Sequence, residues 1–495
     1  MPPVLGLLIT FPLLAAAGLA LVRDERWVRR CALAAAGVEL LLAMWTVALF
    51  DAGQGGMQLV ERATWIPSLQ VQYLVGVDGL SVLFLPLTAL LFGGVMLSSW
   101  TTSGSMTRLY FGLLLALEGF TIGVYTSLDL ILFFLFWELT LVPVFFLITL
   151  WGVGAERRYA GAKYTLIMLA GGVPLLFGIL ILGIGHATAA GLTPPAGLSF
   201  DYLELVARPA DAATQTAVFV LLLLGFAVKT PVLPLHTWLP TVAMEGPTGL
   251  TALLVGLKLG AYGILRFAIP LAPGAAAEYA WVLGLLGALG VIYGALVALQ
   301  QYNLRRMLAF ASISHVGLVL VGLSAMNVQG IQGAVMQTLN FSLIAGGLMI
   351  LAGSLHRRLG STDLTSLGGL AAVFPKLAAL FLVLGAASIG LPGTSGFVAE
   401  YLILVGAIRT HPGLAVMALS GAVLGAAYFL GFYRHAFMGP LRDPAAQAGR
   451  DLQPREMAIV VTMAVLVIAG GLFPGAMLNA SARAAQVWAD RVGSR

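Results

Sequence analysis

The strongest constraint on this chain is its division into apolar runs of about 20 residues, one after another from Val4 to Leu472, with short polar breaks between them. A run of that length crosses the hydrocarbon core of a bilayer as a helix, and in lipid only helices and closed barrels satisfy their own backbone. The chain therefore reads as an all-α polytopic membrane protein. Fourteen runs are discernible, near 4–22, 31–50, 79–99, 109–126, 128–151, 161–185, 214–238, 249–269, 279–299, 307–325, 331–355, 376–409, 414–438 and 456–474. The first is a span and not a secretory signal, because its charges follow the apolar stretch instead of preceding it. Two loops are long enough to fold on themselves. Residues 65–80 alternate and then reach Asp78-Gly79, which predicts a short hairpin, and residues 200–206 predict a short surface helix.

Charge and cysteine usage narrow the function. The formal net charge of +5 does not form a nucleic-acid patch, since the arginines sit in loops between spans. One side carries 17 of the 26 Lys and Arg residues, the loops after helices one, five, nine and thirteen foremost, while the opposite side has only Arg62, Arg208, Arg409, Arg483, Arg491 and Arg495. By the positive-inside rule the basic side is cytoplasmic, which places both termini in the periplasm of a bacterial plasma membrane. The single cysteine, Cys31, makes no internal disulfide, and no Cys/His cluster has metal or Fe–S spacing. Redox centres are not expected in this chain.

Against that background the charges inside spans stand out. In Phe226-Ala-Val-Lys-Thr-Pro-Val-Leu-Pro-Leu-His-Thr-Trp-Leu-Pro240 a lysine, Lys229, precedes two prolines in an apolar helix. Pro231 and Pro234 lack N–H donors and free carbonyls that only protein or a water-lined cavity could satisfy. The run 376–409 is too long for one straight span, and its interior, Gly390-Leu-Pro-Gly-Thr-Ser-Gly-Phe397, predicts a second break at Pro392, Gly393 and Gly396, with Glu400 beyond it. The charge precedes the first break and follows the second, a reversal that points to two units of opposite orientation. Glu138, Lys229, Lys258, His315 and Glu400 all lie near mid-span and form a row of titratable groups across the membrane. Such groups suit a proton relay, since neighbours can move their pKa values, with Glu138 and Lys229 a possible pair. A buried Glu–Lys pair can also simply clasp two helices. Glu118 in helix four, His236 after the first break and Glu245 are secondary candidates, and Asp129 reads as a helix cap.

These residues resemble the proton-pumping antiporter-like subunits of complex I and their relatives among cation/proton antiporters and membrane hydrogenases. The likeness runs over nearly the whole chain. It is carried by Phe136-Trp-Glu-Leu139, the Lys229 to Pro240 segment, Leu257-Lys-Leu-Gly-Ala-Tyr-Gly263, Ser312-Ile-Ser-His-Val-Gly317 and Leu391-Pro-Gly-Thr-Ser-Gly-Phe397. The family commonly has lysine after the second break, except in subunit M of bacterial NADH:quinone oxidoreductase, and Glu400 makes this chain similar to that branch. The resemblance implies a fourteen-helix fold with two inverted five-helix units, 108–269 and 270–440, flanked by 1–107 with three helices and by 441–495 with helix fourteen and a tail. It also implies proton transfer along Glu138, Lys229, Lys258, His315 and Glu400, within a redox-driven complex whose other membrane subunits include homologues. NADH, FMN, Fe–S clusters and quinone would belong to partner subunits, with no cofactor or metal in this chain and no nucleic-acid partner. The alternatives are a subunit of a multi-subunit cation/proton antiporter or of another proton-coupled complex, such as a membrane hydrogenase or inorganic-carbon uptake system. One departure is local. After Pro240 the family commonly has Asp-Ala-His, whereas this chain has Thr241-Val-Ala, leaving Glu245 as the nearby acid for a cytoplasmic entry route.

Overall fold

The computed structural model describes residues 3–101, 104, 106–443, 446–447 and 449–493, so Arg495 of the sparsely charged side lies outside the described residues. Among the described residues eleven helices are long and apolar enough to cross a membrane, and three shorter apolar ones, Val4–Leu19, Phe84–Ser98 and Pro375–Ser388, accompany them. Each of the fourteen runs coincides with one helix or with consecutive helical segments, and we number the spans 1 to 14 accordingly. Spans 1 to 4 are Val4–Leu19, Glu25–Leu49, Phe84–Ser98 and Thr107–Thr126. Span 5 is Leu130–Leu139 with Leu141–Trp151, span 6 is Arg157–Ala189, and span 7 is Ala212–Lys229 followed by Trp238–Glu245. Span 8 is Thr248–Gly256, Leu259–Gly263 and a continuation to Leu271. Spans 9 to 11 are Ala280–Leu299, Leu304–Ser324 and Val328–Leu359. Span 12 is Pro375–Ser388 with Ser395–Thr410, span 13 is Pro412–Phe437 and span 14 is Pro454–Leu472.

Polar residues at the edges of the runs set where helices start. Asp24, Asp129, Asp211, Asn303 and Asn327 each turn a side-chain oxygen onto N–H groups of the first turn that lack intrahelical partners. The cap on Asp24 explains why span 2 begins at Glu25, six residues before the apolar run: Arg26, Arg29 and Arg30 lie on its first turns, where long side chains can reach the interface.

Spans 10 and 11 form the axis of the bundle, with their most apolar windows wholly buried, whereas spans 2, 13 and 14 keep broad apolar faces outward. The axis is also unusually polar inside, with Ser312, Ser314, His315, Gln337, Thr338 and Asn340 all buried. Close backbone approach holds spans 9 and 10 together. A Cβ on Gly317 would stand 2.4 Å from the Gly287 carbonyl, so glycine is required at that crossing.

Three features differ from the sequence expectation. The hairpin exists, as antiparallel strands Gln58–Ile66 (β1) and Val71–Val77 (β2), but its turn is at Pro67–Leu69 and not at Asp78-Gly79. Asp78 is instead the partner of buried Arg266, which grips both carboxylate oxygens. Span 8 is broken at Leu257 and Lys258, a third interruption that the sequence reading ran through as a continuous helix, and its Ile264–Ala268 stretch is a π-helix carrying Arg266. Finally, the tail after span 14 forms a helix, Gly475–Gly493, docked by the Trp488 indole N–H on the Leu265 carbonyl at 2.9 Å. The predicted surface helix is Tyr202–Ala207, packed inward by Tyr202, Leu205 and Val206.

Candidate functional site

The three helix interruptions lie beside the row of charged residues, and backbone carbonyls at each accept hydrogen bonds from side chains, in span 8 from Lys258 of the row itself. In span 7 the helix stops at Lys229 and resumes at Trp238, with Pro231 and Pro234 between. The Val228 carbonyl, freed by the break, accepts the Trp238 indole N–H at 2.9 Å. In span 8 the Val255 carbonyl accepts from the Lys258 ammonium and from the Ser312 hydroxyl, and the Gly256 carbonyl accepts from Ser342 at 2.9 Å. In span 12 Gly390 and Gly393 take positive φ of 71° and 93°, which L side chains rarely adopt. A Cβ on Gly396 would meet the Ala387 carbonyl at 2.3 Å. The Ser395 carbonyl beyond that break accepts from Asn340 at 2.7 Å.

Lys229 donates to the Trp137 carbonyl at 3.1 Å and to the Thr140 hydroxyl at 2.8 Å, with its nitrogen 3.9 Å from the centre of the Trp137 ring. Glu138 is its electrostatic neighbour but not a bonded partner: the two make no ion pair, and both Glu138 oxygens are buried with no hydrogen bond among the described residues. That corrects the simple clasp. Space for the carboxylate comes from Gly172 on span 6, where a Cβ would fall 2.3 Å from Glu138 Oε1.

A cavity of about 40 Å³ follows, lined by Lys229, Thr140, Thr121, Tyr164, Leu257 and Leu259 among others. A water needs about 10–15 Å³ of such space and two or more polar partners, which Lys229, Thr121 and Thr140 supply. On its far side the residues flanking Lys258 form the wall. Lys258 itself donates to Ser312 at 2.5 Å, and its nitrogen lies 5.2 Å from the centre of the Phe341 ring. That ring stacks against His315 at 4.2 Å. His315 meets Ser388 through Nε2 at 3.1 Å and Gln337 through Nδ1 at 3.2 Å, and Nδ1 stands 4.0 Å from Glu400 Oε1. Glu400 lies at the second break, where a Cβ on Gly390 would be 2.5 Å from its Oε2.

The five predicted residues thus fall in the order Glu138, Lys229, Lys258, His315 and Glu400, and polar side chains not singled out in the sequence contact three of them: Thr140 at Lys229, Ser312 at Lys258, and Gln337 and Ser388 at His315. Hydroxyl and amide residues on apolar helices are the signal that could have found them. The secondary candidates lie apart from this row. Glu118 is fully buried without a hydrogen-bond partner among the described residues, and its electrostatic neighbour is Glu39 of span 2. His236 bonds Tyr293 at 3.2 Å. Glu245 accepts the Glu156 N–H at 2.8 Å and so ties the loop before span 6 to the end of span 7. Thr241, the first residue of the local departure after Pro240, accepts a hydrogen bond from Lys163 at 2.9 Å. No group of three or more His, Cys, Asp or Glu among the described residues is arranged to hold a metal ion.

Comparison with known proteins agrees with this architecture. Residues 127–425 match the family model described as NADH:quinone oxidoreductase/Mrp antiporter, TM. The chain is 37% identical over 485 residues to NAD(P)H-quinone oxidoreductase chain 4 1 of Synechococcus sp. (strain JA-3-3Ab), covering 95% of this chain and 90% of the relative. It is 36% identical over 484 residues to NADH-quinone oxidoreductase subunit M of Rhodobacter capsulatus, covering 94% and 93%. Its structure superposes with TM-score 0.88 and 32% identity on a chain of respiratory complex I from Thermus thermophilus, covering 99% of this chain and all of that one. A chain of the Mrp complex from Dietzia sp. DQ12-45-1b gives TM-score 0.86 at 23% identity, covering 99% and 98%, a likeness of fold alone. With the match spanning all three broken helices and the row between them, the chain belongs to the NADH:quinone oxidoreductase/Mrp antiporter transmembrane family.

Proposed function

We propose that the chain is a proton-translocating membrane subunit of a redox-driven NADH:quinone oxidoreductase, corresponding to subunit M, and that protons move along Glu138, Lys229, Lys258, His315 and Glu400. One observation carries the reading. Both intramembrane lysines, Lys258 buried and Lys229 part-buried, sit at helix breaks with their ammonium groups held by carbonyl and hydroxyl oxygens and no carboxylate within ion-pair distance among the described residues. An ammonium clamped by a carboxylate would have to break that pair to give up its proton. These two would not, and a water-sized cavity separates them. His315 then stands between Lys258 and Glu400 as the group that takes the proton on through its two contacted nitrogens.

The same reading assigns the electron-transfer work, with NADH, FMN, Fe–S clusters and quinone, to partner subunits, and it makes the pump a pair of five-helix units over 108–269 and 270–440. It places the chain in a bacterial plasma membrane with both termini periplasmic. The test is Lys229→Ala in the assembled complex, with acidification per quinone reduced measured in sealed vesicles. Assembly should persist, because an apolar replacement removes a buried charge, while pumping falls sharply. A variant that assembles and pumps at the normal proton-to-electron ratio would overturn the relay.

A further inference from the structure

Outside the row, the densest charge in the molecule converges on one pocket at the basic end of spans 11 and 14. The pocket has a volume of about 380 Å³, and Arg357, Arg358, Arg450 and Arg455 line it with a single carboxylate, Glu456. Topology alone asks for arginines on this side of the membrane. It does not ask that four of them line one cavity.

Glu456 is already satisfied. It accepts from Arg357 at 2.7 Å, from Arg358 at 2.6 Å and from the Gln453 N–H at 3.0 Å. Arg358 spends its other donors on the carbonyls of Ser354, Arg450 and Asp451. The nearby Asp451 carboxylate is turned to the N–H groups of Lys376 and Leu377. Arg450 and Arg455 are left without an ion pair among the described residues, and the buried Arg455 Nε has no hydrogen-bond partner. Arg29 of span 2 lies within electrostatic reach of Arg455; one of its terminal nitrogens pairs with Glu25 at 3.4 Å, while its Nε is buried without a partner among the described residues. Unspent guanidiniums around an open cavity favour a phosphate, whose oxygens match their paired donors.

What lies below the pocket indicates which phosphate. An apolar groove of about 340 Å³ lies between spans 2, 3, 11 and 14, lined by Leu40, Met44, Leu90, Leu343, Thr462 and Leu466 among others. Along span 14, Thr462 and Leu466 lie about 10 and 16 Å from Arg455 at 1.5 Å per residue, and along span 11 Leu343 lies about 21 Å from Arg357, so the inner end of the groove begins near the roughly 15 Å depth of one leaflet. Trp27, exposed at the same end of span 2 with the Arg30 guanidinium 5.4 Å from its ring, has the position of an interfacial anchor. We propose that the Arg357, Arg358, Arg450 and Arg455 pocket holds the phosphate of an anionic phospholipid, whose acyl chain descends into the inner end of this groove.

The test uses the assembled complex, purified from its membrane and exchanged into phosphatidylcholine nanodiscs doped with phosphatidylglycerol, with bound lipid counted by native mass spectrometry. The substitutions Arg450→Gln and Arg455→Gln together leave the Glu456 clamp intact. They should lower retained phosphatidylglycerol by about 10- to 30-fold and leave phosphatidylcholine unchanged. Arg450→Lys with Arg455→Lys keeps both charges and should retain most of it. Undiminished phosphatidylglycerol in the Gln pair, or a parallel loss of phosphatidylcholine, would overturn the proposal. A loss in the Lys pair as large as in the Gln pair would do the same. Displacement of the lipid by inorganic phosphate alone would make this a site for a soluble anion, and would overturn the lipid assignment as well.

Discussion

Gly172 provides the sharpest test of whether the position of Glu138 matters, because the same substitution should help the helix and hurt the relay. A Cβ at 172 would stand 2.3 Å from Glu138 Oε1 and 3.1 Å from its carboxyl carbon, where ordinary contacts begin at 3.4 Å. The carboxylate is the end of a flexible side chain and can retreat, by about 1 Å if contact distances are to be restored. In the interior of span 6, alanine in place of glycine favours the helix by about 0.5–1 kcal/mol, so Gly172→Ala should assemble at least as well as the parent. A displacement of about 1 Å in a proton-transferring group can lower a rate by about 100-fold. Acidification per quinone reduced in sealed vesicles should therefore fall by at least about tenfold. Gly185 on the same helix is the control: an added Cβ there meets nothing closer than 4.0 Å, so Gly185→Ala should keep full pumping. Glu138→Asp combined with Gly172→Ala shortens the side chain into the space the methyl leaves and should recover part of the activity. If Gly172→Ala pumps at the normal proton-to-electron ratio in a normally assembled complex, the placement of Glu138 against Gly172 has no part in transfer.

Other outcomes follow from the same geometry. Glu400→Gln should impair pumping and Glu400→Asp should keep part of it, while Glu400→Lys retains measurable activity if the position needs only to carry a proton; full activity in the Gln variant, by the same vesicle assay, would remove Glu400 from the row. Asp78→Ala strands the Arg266 guanidinium, which is 2% exposed, and should lower stability by about 3–5 kcal/mol. Much of that should return in Asp78→Ala with Arg266→Met, as read from thermal unfolding and the assembled fraction; a single variant no less stable than the double would refute the clasp. Asp129, the cap of span 5, titrates high: burial pushes it from 3.8 up to about 6, against the N–H groups of Gln72, Leu132 and Ile131 that pull it down. The folded form then binds this proton more tightly than the unfolded chain, so its contribution to stability falls as pH rises from about 4 to about 6. Asp129→Asn keeps the cap and should flatten the melting temperature across that window; an unchanged pH slope would show that the group does not titrate there.

How much of this was written in the sequence depends on the range of the interaction concerned. The helical, membrane-spanning character of the runs and two of the three breaks were legible because they rest on local chemistry: an apolar run long enough for a bilayer, prolines without N–H donors at 231 and 234, and glycines at 390 and 393 where the chain takes positive φ. The five titratable residues were legible for a related reason, since a charge inside such a run has to be accounted for. The break at Lys258 was not, because Leu257-Lys258-Leu259 holds no proline and its freed carbonyls are satisfied by Ser312 and Ser342 from other spans. Asp78-Gly79 has the local chemistry of a turn, yet an ion pair to a residue 188 positions away uses the aspartate instead. Likewise, nothing along the chain says that Gly172 makes room for Glu138, that Glu118 faces Glu39 instead of the row, or that Arg455 ends beside Arg357. The sequence by itself determined which segments enter the membrane and which side chains are too polar to be there without a reason. Only the tertiary structure decided which of those side chains meet, because the helices that bring them together pack through small residues and carbonyl contacts that leave no periodic mark on either helix.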